Sequence, residues 1–318
     1  MDRKTIMDDL GNNIYRLPGS RGSHIYYIKR ENGVLIDTGH PLDDEKNLSL
    51  LKNFGLVPDS VKYIVNTHTH FDHIGGTATF INDFFVNAKV VISALSEDYV
   101  LKKSALNLYP ELEVSFKPFN HDIKVSDYYE IDLGNDIAVL YHTPGHSKDS
   151  ISLLLKETNT LFTGDLIYKG VITQVDYNYA LNQSLDELEK SYELIKNSGI
   201  KVICPGHGDV FNPTDKDWLL YTKKIKKFRN DSEIMVINNI IPVLELFFHN
   251  NQGIKKDSAI KTFIDYLNRP IRAHLPTGYT FEDIERIIDR AIFLMITFNM
   301  VSVSSDCIYL NNKLNAHL

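Results

Sequence analysis

Cysteine is scarce in this sequence, and membrane-type hydrophobic runs are lacking. Cys204 and Cys307 are the only cysteines among 318 residues, so no disulfide framework is expected. The N-terminus has no apolar stretch of the kind found in signal peptides. No segment approaches the ~18 to 20 consecutive apolar residues of a membrane span. These absences predict a cytoplasmic protein with no membrane partner.

A net positive charge is also lacking. The formal net charge of -7 at pH 7 disfavours a general nucleic-acid binder. The balance differs along the chain: residues 1–213 carry nine more acidic than basic side chains, whereas residues 214–318 carry two more basic than acidic ones. The basic cluster at 223–229 (KKIKKFR) is typical of a solvated helix face, and a patch for an anionic substrate or RNA is the alternative.

The sequence pattern changes near residue 213. Before it, short apolar and β-branched runs alternate with helical patterns, which predicts an α/β fold. After it the pattern is helical and ends in two short runs around residues 304–306, which predict a hairpin. We therefore predict two domains, residues 1–213 and residues 214–318. Three helices followed by a hairpin make the second domain resemble a winged helix.

Several local patterns make specific predictions. Ser184 and Glu187 have the spacing of a capping box, which predicts that a helix begins at Ser184. A further helix is predicted over Ile240–Asn250 from its apolar pattern. Gly75 and Gly76 are predicted to let the chain turn tightly from a loop into a helix.

Four metal-capable side chains occur within six positions of the stretch NTHTHFDHIGG. They are His68, His70, Asp72 and His73, and they follow a short apolar run read as a buried strand. Neutral imidazole and carboxylate ligands suit zinc, iron and manganese. In an extended segment, side chains two residues apart share a face, so His68 and His70 can reach one ion. Asp72 and His73 lie past the turn and can serve a second ion.

Three further stretches each place one metal-capable side chain just after an apolar strand pattern. His146 lies in HTPGHSKDS, Asp165 in LFTGDLIYKG and His207 in VICPGHGDV. Each stretch alone is a weak signal, because a histidine or aspartate after a strand is common. The four stretches in this order are a strong signal for a metal site.

In their order, these motifs resemble the metallo-β-lactamase superfamily. The resemblance covers residues 10–212 and includes the stretch GVLIDTG at 33–39. It implies an αββα sandwich with the metal site at one edge of two sheets. It also implies that one ion is held by His68, His70 and His146, that a second is held by Asp72, His73 and His207, and that Asp165 bridges the two.

The ligand set of histidine and aspartate resembles the glyoxalase II, lactonase, thioesterase and tRNA-processing ribonuclease branches. Two divalent ions, zinc first with iron or manganese as alternatives, can share a hydroxide that attacks a carbonyl. We therefore predict a dinuclear metal-dependent hydrolase that acts on a small-molecule ester, thioester or lactone. Thioesterase is slightly favoured, because GDLIYKG resembles acyl-CoA thioesterase-like members of the superfamily.

Two residues are predicted to take part in the chemistry. Asp72 is expected to orient the hydroxide and to carry a proton to the leaving group, besides binding metal. Tyr168, three residues after Asp165, resembles a tyrosine of the quorum-sensing lactonases that lies beside the substrate carbonyl. The alternative for Tyr168 is a side chain packed under the loop.

Two other functions stay open at this point. One is a metal-dependent phosphodiesterase or ribonuclease, although the acidic balance of residues 1–213 speaks against a long RNA substrate. The other is a ligand-binding protein that keeps the fold without catalysis. Metal binding separates the second alternative from the enzymatic functions, because seven retained ligands are hard to explain without an ion.

Overall fold

Two β-sheets organise the part of the chain that carries the predicted metal ligands. The computed structural model describes residues 6–102, 116–175, 181–266 and 280–311. Within these residues, the first sheet has seven strands whose spatial order follows the chain. They are β1 (Asp8–Asp9), β2 (Ile14–Leu17), β3 (Ile25–Ile28), β4 (Val34–Ile36), β5 (Tyr63–Val65), β6 (Lys89–Ser93) and β7 (Ile123–Val125).

The second sheet begins directly after the first along the chain. Its first four strands are β8 (Tyr128–Asp132), β9 (Ile137–His142), β10 (Ile151–Leu155) and β11 (Thr160–Gly164). A separate hairpin then pairs β12 (Ile167–Tyr168) with β13 (Val171–Ile172), and β14 (Val202–Pro205) completes the second sheet. The spatial order of the second sheet is β14-β11-β10-β9-β8.

Parallel pairing is confined to the strands that lead into the predicted metal loops and their neighbours. In the first sheet β1 to β4 are antiparallel, whereas β4, β5, β6 and β7 run parallel. In the second sheet β11 and β14 are parallel, and the remaining pairs are antiparallel. The carboxyl ends of parallel neighbours meet at one edge of a sheet, so the loops that follow them are brought together.

The two sheets face each other across a shared apolar core. Val34 and Ile36 of β4 belong to the same buried cluster as Leu140, Leu153 and Phe162 of the second sheet. Leu35, between them on β4, points to the other face of the sheet, as the alternation of side chains along a strand requires. It packs in a different buried cluster, with residues of the helices outside the first sheet.

Helices cover the outer faces of the sheets. The helices before the C-terminal region are α1 (Asp44–Phe54), α2 (Phe71–Ile74), α3 (Thr77–Asp83), α4 (Glu97–Lys102), α5 (Leu181–Asn197) and α6 (Asp215–Asn230). Leu48 and Leu51 of α1 and Phe80 of α3 pack with Leu35 and Ile64 of the first sheet. Ser191 of α5 donates a hydrogen bond to the carbonyl of Pro144, next to the second sheet. This layering is the predicted αββα sandwich.

The described residues form two compact units. The first comprises those up to 102, 116–173 and 186–221, and the second comprises 174–175, 181–185 and those from 222 on. The division by packing passes through α6. Whether residues 1–213 and 214–318 are separate domains stays a prediction, because a domain must also be able to fold by itself.

The second unit contains helices and a small sheet, as predicted for the C-terminal region. Its elements are α7 (Ser232–Asn250), β15 (Ile254–Lys255), α8 (Lys256–Tyr266), α9 (Phe281–Thr297), β16 (Val301–Ser304) and β17 (Cys307–Leu310). The terminal hairpin of β16 and β17 is extended by β15, in the order β15-β17-β16. The order of helices and strands resembles that of a winged helix. Leu244, Phe247, Phe263 and Ile288 lie in the core of this unit.

Helix α7 is longer than the sequence pattern predicted. The pattern predicted Ile240–Asn250, but the helix begins at Ser232, where the Asp231 side chain accepts a hydrogen bond from the Ile234 amide. Pro242 lies inside the helix, where it cannot donate a backbone hydrogen bond. Burial of the earlier apolar residues of α7 outweighs this loss, so the helix continues through the proline.

Helix α7 also bears on the predicted absence of a membrane segment. By length and composition it is the one helix among the described residues that could cross a membrane, although 53% of its apolar window is buried inside the protein. This departs from the expectation that no segment reaches span length. Because its buried side chains form the core of the second unit, α7 fits a core helix as well. The cytoplasmic location and the lack of a membrane partner stay predictions.

Two other local predictions were wrong in their physical reason. Helix α5 already includes Leu181, so Ser184 is buried within it and does not cap its start. Gly75 and Gly76 both have right-handed backbone conformations, with φ of -58° and -89°. They are needed for space instead: a Cβ on Gly75 would lie 2.3 Å from the nitrogen of Pro41.

The basic cluster of α6 lies along an amphipathic helix. Tyr221, Ile225 and Phe228 are buried, whereas Lys223 and Lys227 between them are exposed. This alternation is the one expected of a helix with a single apolar face. The structure therefore agrees with the interpretation of this cluster as a solvated helix face.

The shared core predicts the stability cost of a cavity. Leu140 is fully buried between the sheets, so Leu140→Ala should lower the free energy of unfolding by about 2–5 kcal/mol. Leu219→Ala removes the same atoms from a side chain that is 54% exposed and should change it by less than about 0.5 kcal/mol. Chemical denaturation followed by circular dichroism measures both. Equal effects would contradict the shared core.

Candidate metal centre

The predicted ligands lie at one edge of the sandwich because four strands end there. Ile36 of β4 pairs with Val65 of β5, so Asp37 and Thr67 follow neighbouring strand ends. In the second sheet Gly164 of β11 pairs with Pro205 of β14, which places Asp165 beside the loop that carries His207. The Ile151 amide of β10 donates to the carbonyl of Thr67 and joins the two sets of loops.

Three histidine rings converge in a first cluster. The Nδ1 atom of His70 lies 2.9 Å from Nε2 of His68 and 3.0 Å from Nε2 of His146. All three residues are buried. The carboxylate of Asp165 completes the group, with Oδ2 at 3.7 Å from Nε2 of His146.

A second cluster lies on the other side of Asp165. It consists of Asp72, His73 and His207, of which the first two are carried by the short helix α2. Oδ2 of Asp72 is 3.1 Å from Nε2 of His207. Oδ1 of Asp165 is 3.2 Å from Nε2 of His73, and Oδ2 of Asp165 is 3.6 Å from Nε2 of His207. The Asp165 carboxylate therefore faces both clusters, and the seven predicted ligands lie together.

Neighbouring side chains fix the proton positions of two of the histidines. The Thr67 hydroxyl donates to Oδ2 of Asp37 over 2.9 Å, so it can only accept from Nδ1 of His68, at 3.1 Å. Nδ1 of His73 donates to the same carboxylate oxygen over 2.7 Å. The proton on Nδ1 of His68 leaves its Nε2, the atom that faces the cluster, with a lone pair. In His73 the Nδ1 proton directs Nε2 toward Asp165, where a metal ion would take the place of a second ring proton.

The pKa values of the histidines shift in different directions in the two clusters. Burial lowers the pKa of His70 to about 4 and that of His68 well below its usual value, so these two imidazoles of the first cluster are neutral. Burial acts in the same direction on His73, but the carboxylates of Asp165 and Asp37 outweigh it and raise its pKa well above the usual value. Burial opposes ionisation of Asp165 as well, yet His73 and His207 hold its pKa well below the usual range. The second cluster is therefore ionic.

These donors fit divalent metal ions. Nε2 of His73 and Oδ1 of Asp165 are buried and have no hydrogen-bond partner. Buried polar atoms are normally paired, so two such atoms that face each other without a hydrogen bond fit an ion that would take the place of the His73 proton. The first cluster brings three ring nitrogens together around His70, an arrangement that one bridging proton cannot satisfy and a metal ion can. Mixed imidazole and carboxylate ligands suit zinc, iron and manganese.

Two glycines let the loops approach this closely. A Cβ on Gly206 would lie 2.5 Å from both Oδ1 of Asp165 and Cε1 of His73. A Cβ on Gly164 would lie 2.5 Å from the Thr67 hydroxyl oxygen, and its φ of 51° is left-handed. The glycines before Asp165 and His207 are therefore part of the site, because a side chain there would displace a candidate ligand or the Thr67 hydroxyl beside His68.

Tyr168 lies at the site rather than under the loop alone. Its side chain forms a hydrogen bond with the Asp165 carboxylate. Burial, and to a smaller extent the charge of that carboxylate, raises the pKa of Tyr168 well above the usual value. Its backbone carbonyl accepts a hydrogen bond of 2.6 Å from the Tyr221 hydroxyl, which fixes the β12–β13 hairpin. The hydroxyl of Tyr168 thus keeps its proton beside the candidate bridging ligand.

Sequence reasoning missed several residues that hold the ligands in place. Asp37 lies in the stretch GVLIDTG, for which the sequence predicted no side-chain role. Its left-handed φ of 58° turns its carboxylate toward Thr67 and His73. Asp149 is buried and accepts hydrogen bonds from the Thr69 amide and the Ser96 hydroxyl. The available signal for Asp149 was a carboxylate in the loop that carries His146. Thr69 and Ser96, however, lie more than fifty positions away from it in the chain.

Two histidines outside the ligand set serve the loops. Nε2 of His24 lies 2.8 Å from the Gly208 carbonyl, and its Nδ1 accepts from the Gly19 amide, so both ring nitrogens are used. Burial lowers the pKa of His24 to about 4. His142 contacts the Lys148 carbonyl at 2.7 Å and braces the loop that presents His146.

A two-sheet sandwich whose strand-end loops gather seven histidine and aspartate ligands defines a candidate metalloenzyme of the αββα class. The sequence profile of the metallo-beta-lactamase superfamily matches residues 18–207. The chain belongs to this superfamily, and both the predicted family and the predicted fold class are confirmed. Among solved structures, the Rm3 metallo-beta-lactamase has the same fold, with a TM-score of 0.58 at 18% identity over 72% of this chain and 94% of that one.

Curated relatives match about half of the chain. A Beta-lactamase-like protein 2 homolog of Caenorhabditis elegans is 28% identical over 56% of this chain, and this chain spans only 53% of that relative. An N-acyl homoserine lactonase of a Bacillus species is 31% identical over 45% of this chain and 63% of the relative. Acyl-coenzyme A thioesterase MBLAC2 of Bos taurus is 26% identical over 57% and 71%. The last two are hydrolases, the class of enzyme that the sequence predicted for this chain.

The hydrogen bonds of Asp37 predict a weaker site when its charge is removed. Asp37→Asn keeps the shape and tolerates the left-handed backbone, but an amide binds the Thr67 and His73 protons less well. We expect zinc to bind about 10- to 100-fold more weakly, as measured by competition with a chromophoric chelator.

Asp136→Asn is the matched control for this substitution. Asp136 is equally buried, but it pairs with Arg30 at 3.1 Å and lies outside both ligand clusters. The control should change stability and leave zinc affinity unaltered. If both variants lost zinc equally, a general loss of packing would explain the effect and the assignment to Asp37 would be wrong.

Proposed function

We propose that the chain is a dinuclear metal-dependent hydrolase that cleaves a carbonyl ester, thioester or lactone of a small molecule. The observation that carries this proposal is the Asp165 carboxylate, whose two oxygens face the two ligand clusters. When bound, two divalent ions, zinc first with iron or manganese as alternatives, supply Lewis acidity and an activated water. The remaining steps fall to side chains of the chain itself.

Asp72 is proposed to orient the attacking water and to move its proton. With a side chain that is 14% exposed, it is the most accessible of the seven ligands. Its Oδ2 contacts His207, and the exposed part of the carboxylate is proposed to bind the attacking water. Asp72 can accept the water proton there and pass it to the leaving oxygen or sulfur as the carbonyl bond breaks.

Tyr168 is proposed to stabilise the substrate oxygen. Its hydroxyl donates a hydrogen bond to the Asp165 carboxylate, so it lies directly beside a candidate ligand. The β12–β13 hairpin holds the residue in place by the hydrogen bond from Tyr221. A donor fixed in advance lowers the energy of the developing oxyanion, because it need not reorganise during the reaction.

The substrate class rests on the relatives. The names of two of them specify an N-acyl homoserine lactone and an acyl-coenzyme A thioester. Both substrates contain an acyl carbonyl attached to a leaving oxygen or sulfur, which the proposed chemistry attacks in the same way. Residues 1–213 carry nine more acidic than basic side chains, which disfavours a long nucleic acid as the substrate.

The test uses the full chain, purified without added metal and then loaded with zinc. Its rate is measured on an acyl-CoA thioester, an N-acyl homoserine lactone and bis-p-nitrophenyl phosphate, together with its metal content. We expect hydrolysis of at least one carbonyl substrate and about two ions per chain. His146→Ala should lower the rate by at least about 100-fold, because it removes a ligand of the first cluster.

His121→Ala is the control for the loss of an imidazole. His121 lies near Glu97 and outside both clusters, so its rate should stay that of the wild type. Cleavage of the phosphodiester alone would favour the alternative function, a phosphodiesterase or ribonuclease. Failure of the wild-type chain to bind metal would favour a protein that keeps the fold without catalysis.

A separate prediction concerns the hydroxyl of Tyr168. Tyr168→Phe should lower kcat by about 100-fold on the preferred substrate while the zinc content stays unchanged, because the hydroxyl serves the oxyanion and is not a ligand. Tyr129→Phe, at an exposed position of β8, provides the control. Loss of zinc in Tyr168→Phe would instead assign the hydroxyl to holding Asp165.

A further inference from the structure

Thr173 follows β13 and lies against both halves of the candidate metal centre. It is completely buried. Its hydroxyl oxygen is 2.5 Å from the backbone carbonyl oxygen of Asp165 and 2.9 Å from Nδ1 of His146. One oxygen atom therefore contacts a ligand of the first cluster and the backbone of the residue that faces both clusters.

The direction of these two hydrogen bonds follows from counting protons. A carbonyl oxygen only accepts, so the single hydroxyl proton of Thr173 is donated to Asp165. The hydroxyl oxygen is then an acceptor toward His146, and the proton must lie on Nδ1 of the imidazole. Nε2 of His146 consequently carries a lone pair, and this is the atom that lies 3.0 Å from Nδ1 of His70.

This arrangement parallels the one found for the other two buried rings with assigned protons. Thr67 accepts the Nδ1 proton of His68, and Asp37 accepts that of His73. Thr173 differs from both because it belongs to the chain after the β12–β13 hairpin. Its donation to the Asp165 carbonyl also fixes the start of the loop that carries Tyr168.

We propose that Thr173 is a positioning residue that selects the metal-binding tautomer of His146 and couples it to the backbone of Asp165. This inference rests on the proposed metal centre and adds a residue to it. A hydroxyl in this place does what a carboxylate or carbonyl does in many metal sites, where the outer partner of a histidine sets its orientation and basicity. Unlike a carboxylate, it adds no negative charge to a site that already holds two aspartates.

The test compares cobalt binding to the full chain and to variants at this position. Thr173→Val has the same shape and lacks the hydroxyl, whereas Thr173→Ser keeps the hydroxyl and loses the methyl group. We expect Thr173→Val to bind its first cobalt ion about 10- to 100-fold more weakly, with a changed visible spectrum of the bound ion. Thr173→Ser should restore the wild-type affinity and spectrum.

Thr143→Val is the matched control. Thr143 is also fully buried and its hydroxyl bonds to the Ser152 hydroxyl at 2.8 Å, outside both clusters. It should lose stability like Thr173→Val but keep its affinity for cobalt. Thr173→Ala removes the hydroxyl and, unlike Thr173→Val, puts no methyl group in its place. It should show the same loss of affinity for cobalt as Thr173→Val.

The outcomes separate this inference from the proposed function. If the wild-type chain binds cobalt and the valine and alanine variants bind it equally tightly, Thr173 has no positioning role and the inference is overturned alone. If serine fails to restore affinity, the methyl packing rather than the hydroxyl matters, and the inference is again overturned. Variants that unfold while serine folds would assign the hydroxyl to folding and contradict the proposal. A wild-type chain that binds no metal would overturn the proposed function as well.

Discussion

Buried negative charge is the constraint around which the edge of the sandwich is built. Asp37 and Asp165 follow strand ends and Asp72 lies in α2, so three carboxylates meet where an unpaired charge would be costly. His73 meets Asp37 with one ring nitrogen and Asp165 with the other, so a ring from the first sheet pairs with a carboxylate from the second. His207 completes the pairing from the opposite loop. The alignment of the two sheets and the identity of the loops both serve this balance of charge.

The backbone contributes as much to this balance as the charged groups. Gly164 and Gly206 have no side chain because the space that a Cβ would occupy is taken by the Thr67 hydroxyl and the Asp165 carboxylate. Asp37 adopts a left-handed conformation to bring its carboxylate across the strand ends. The site is thus a property of how the loops leave the strands, and the ligands exploit an arrangement that the parallel pairs of strands provide.

The clustering of the seven candidate ligands could be predicted from the sequence, because each lies within a few residues of a local signal, a strand pattern followed by a turn. The residues that orient them were not, because Asp37 and Thr173 reach their histidines across 36 and 27 positions and no spacing rule connects them. The sheets could be predicted from alternating apolar runs. The start of α7 could not, since burial in the second unit overrides the local effect of Pro242. Local sequence patterns thus predict the helices, the strands and the candidate ligands. Tertiary packing decides where α7 begins and which side chains hydrogen-bond to the ligand histidines.

The spread of the ligands along the chain has a consequence for folding. The first candidate ligand is His68 and the last is His207, so no early fragment of the chain contains all seven. Contacts of such long range form late, after the closure of the loops between them has been offset by packing. An ion that binds only the native state stabilises that state relative to the unfolded chain. The folded fraction then rises with the free concentration of the ion. If the candidate site binds metal, the supply of that metal would therefore also set the fraction of this chain that is folded.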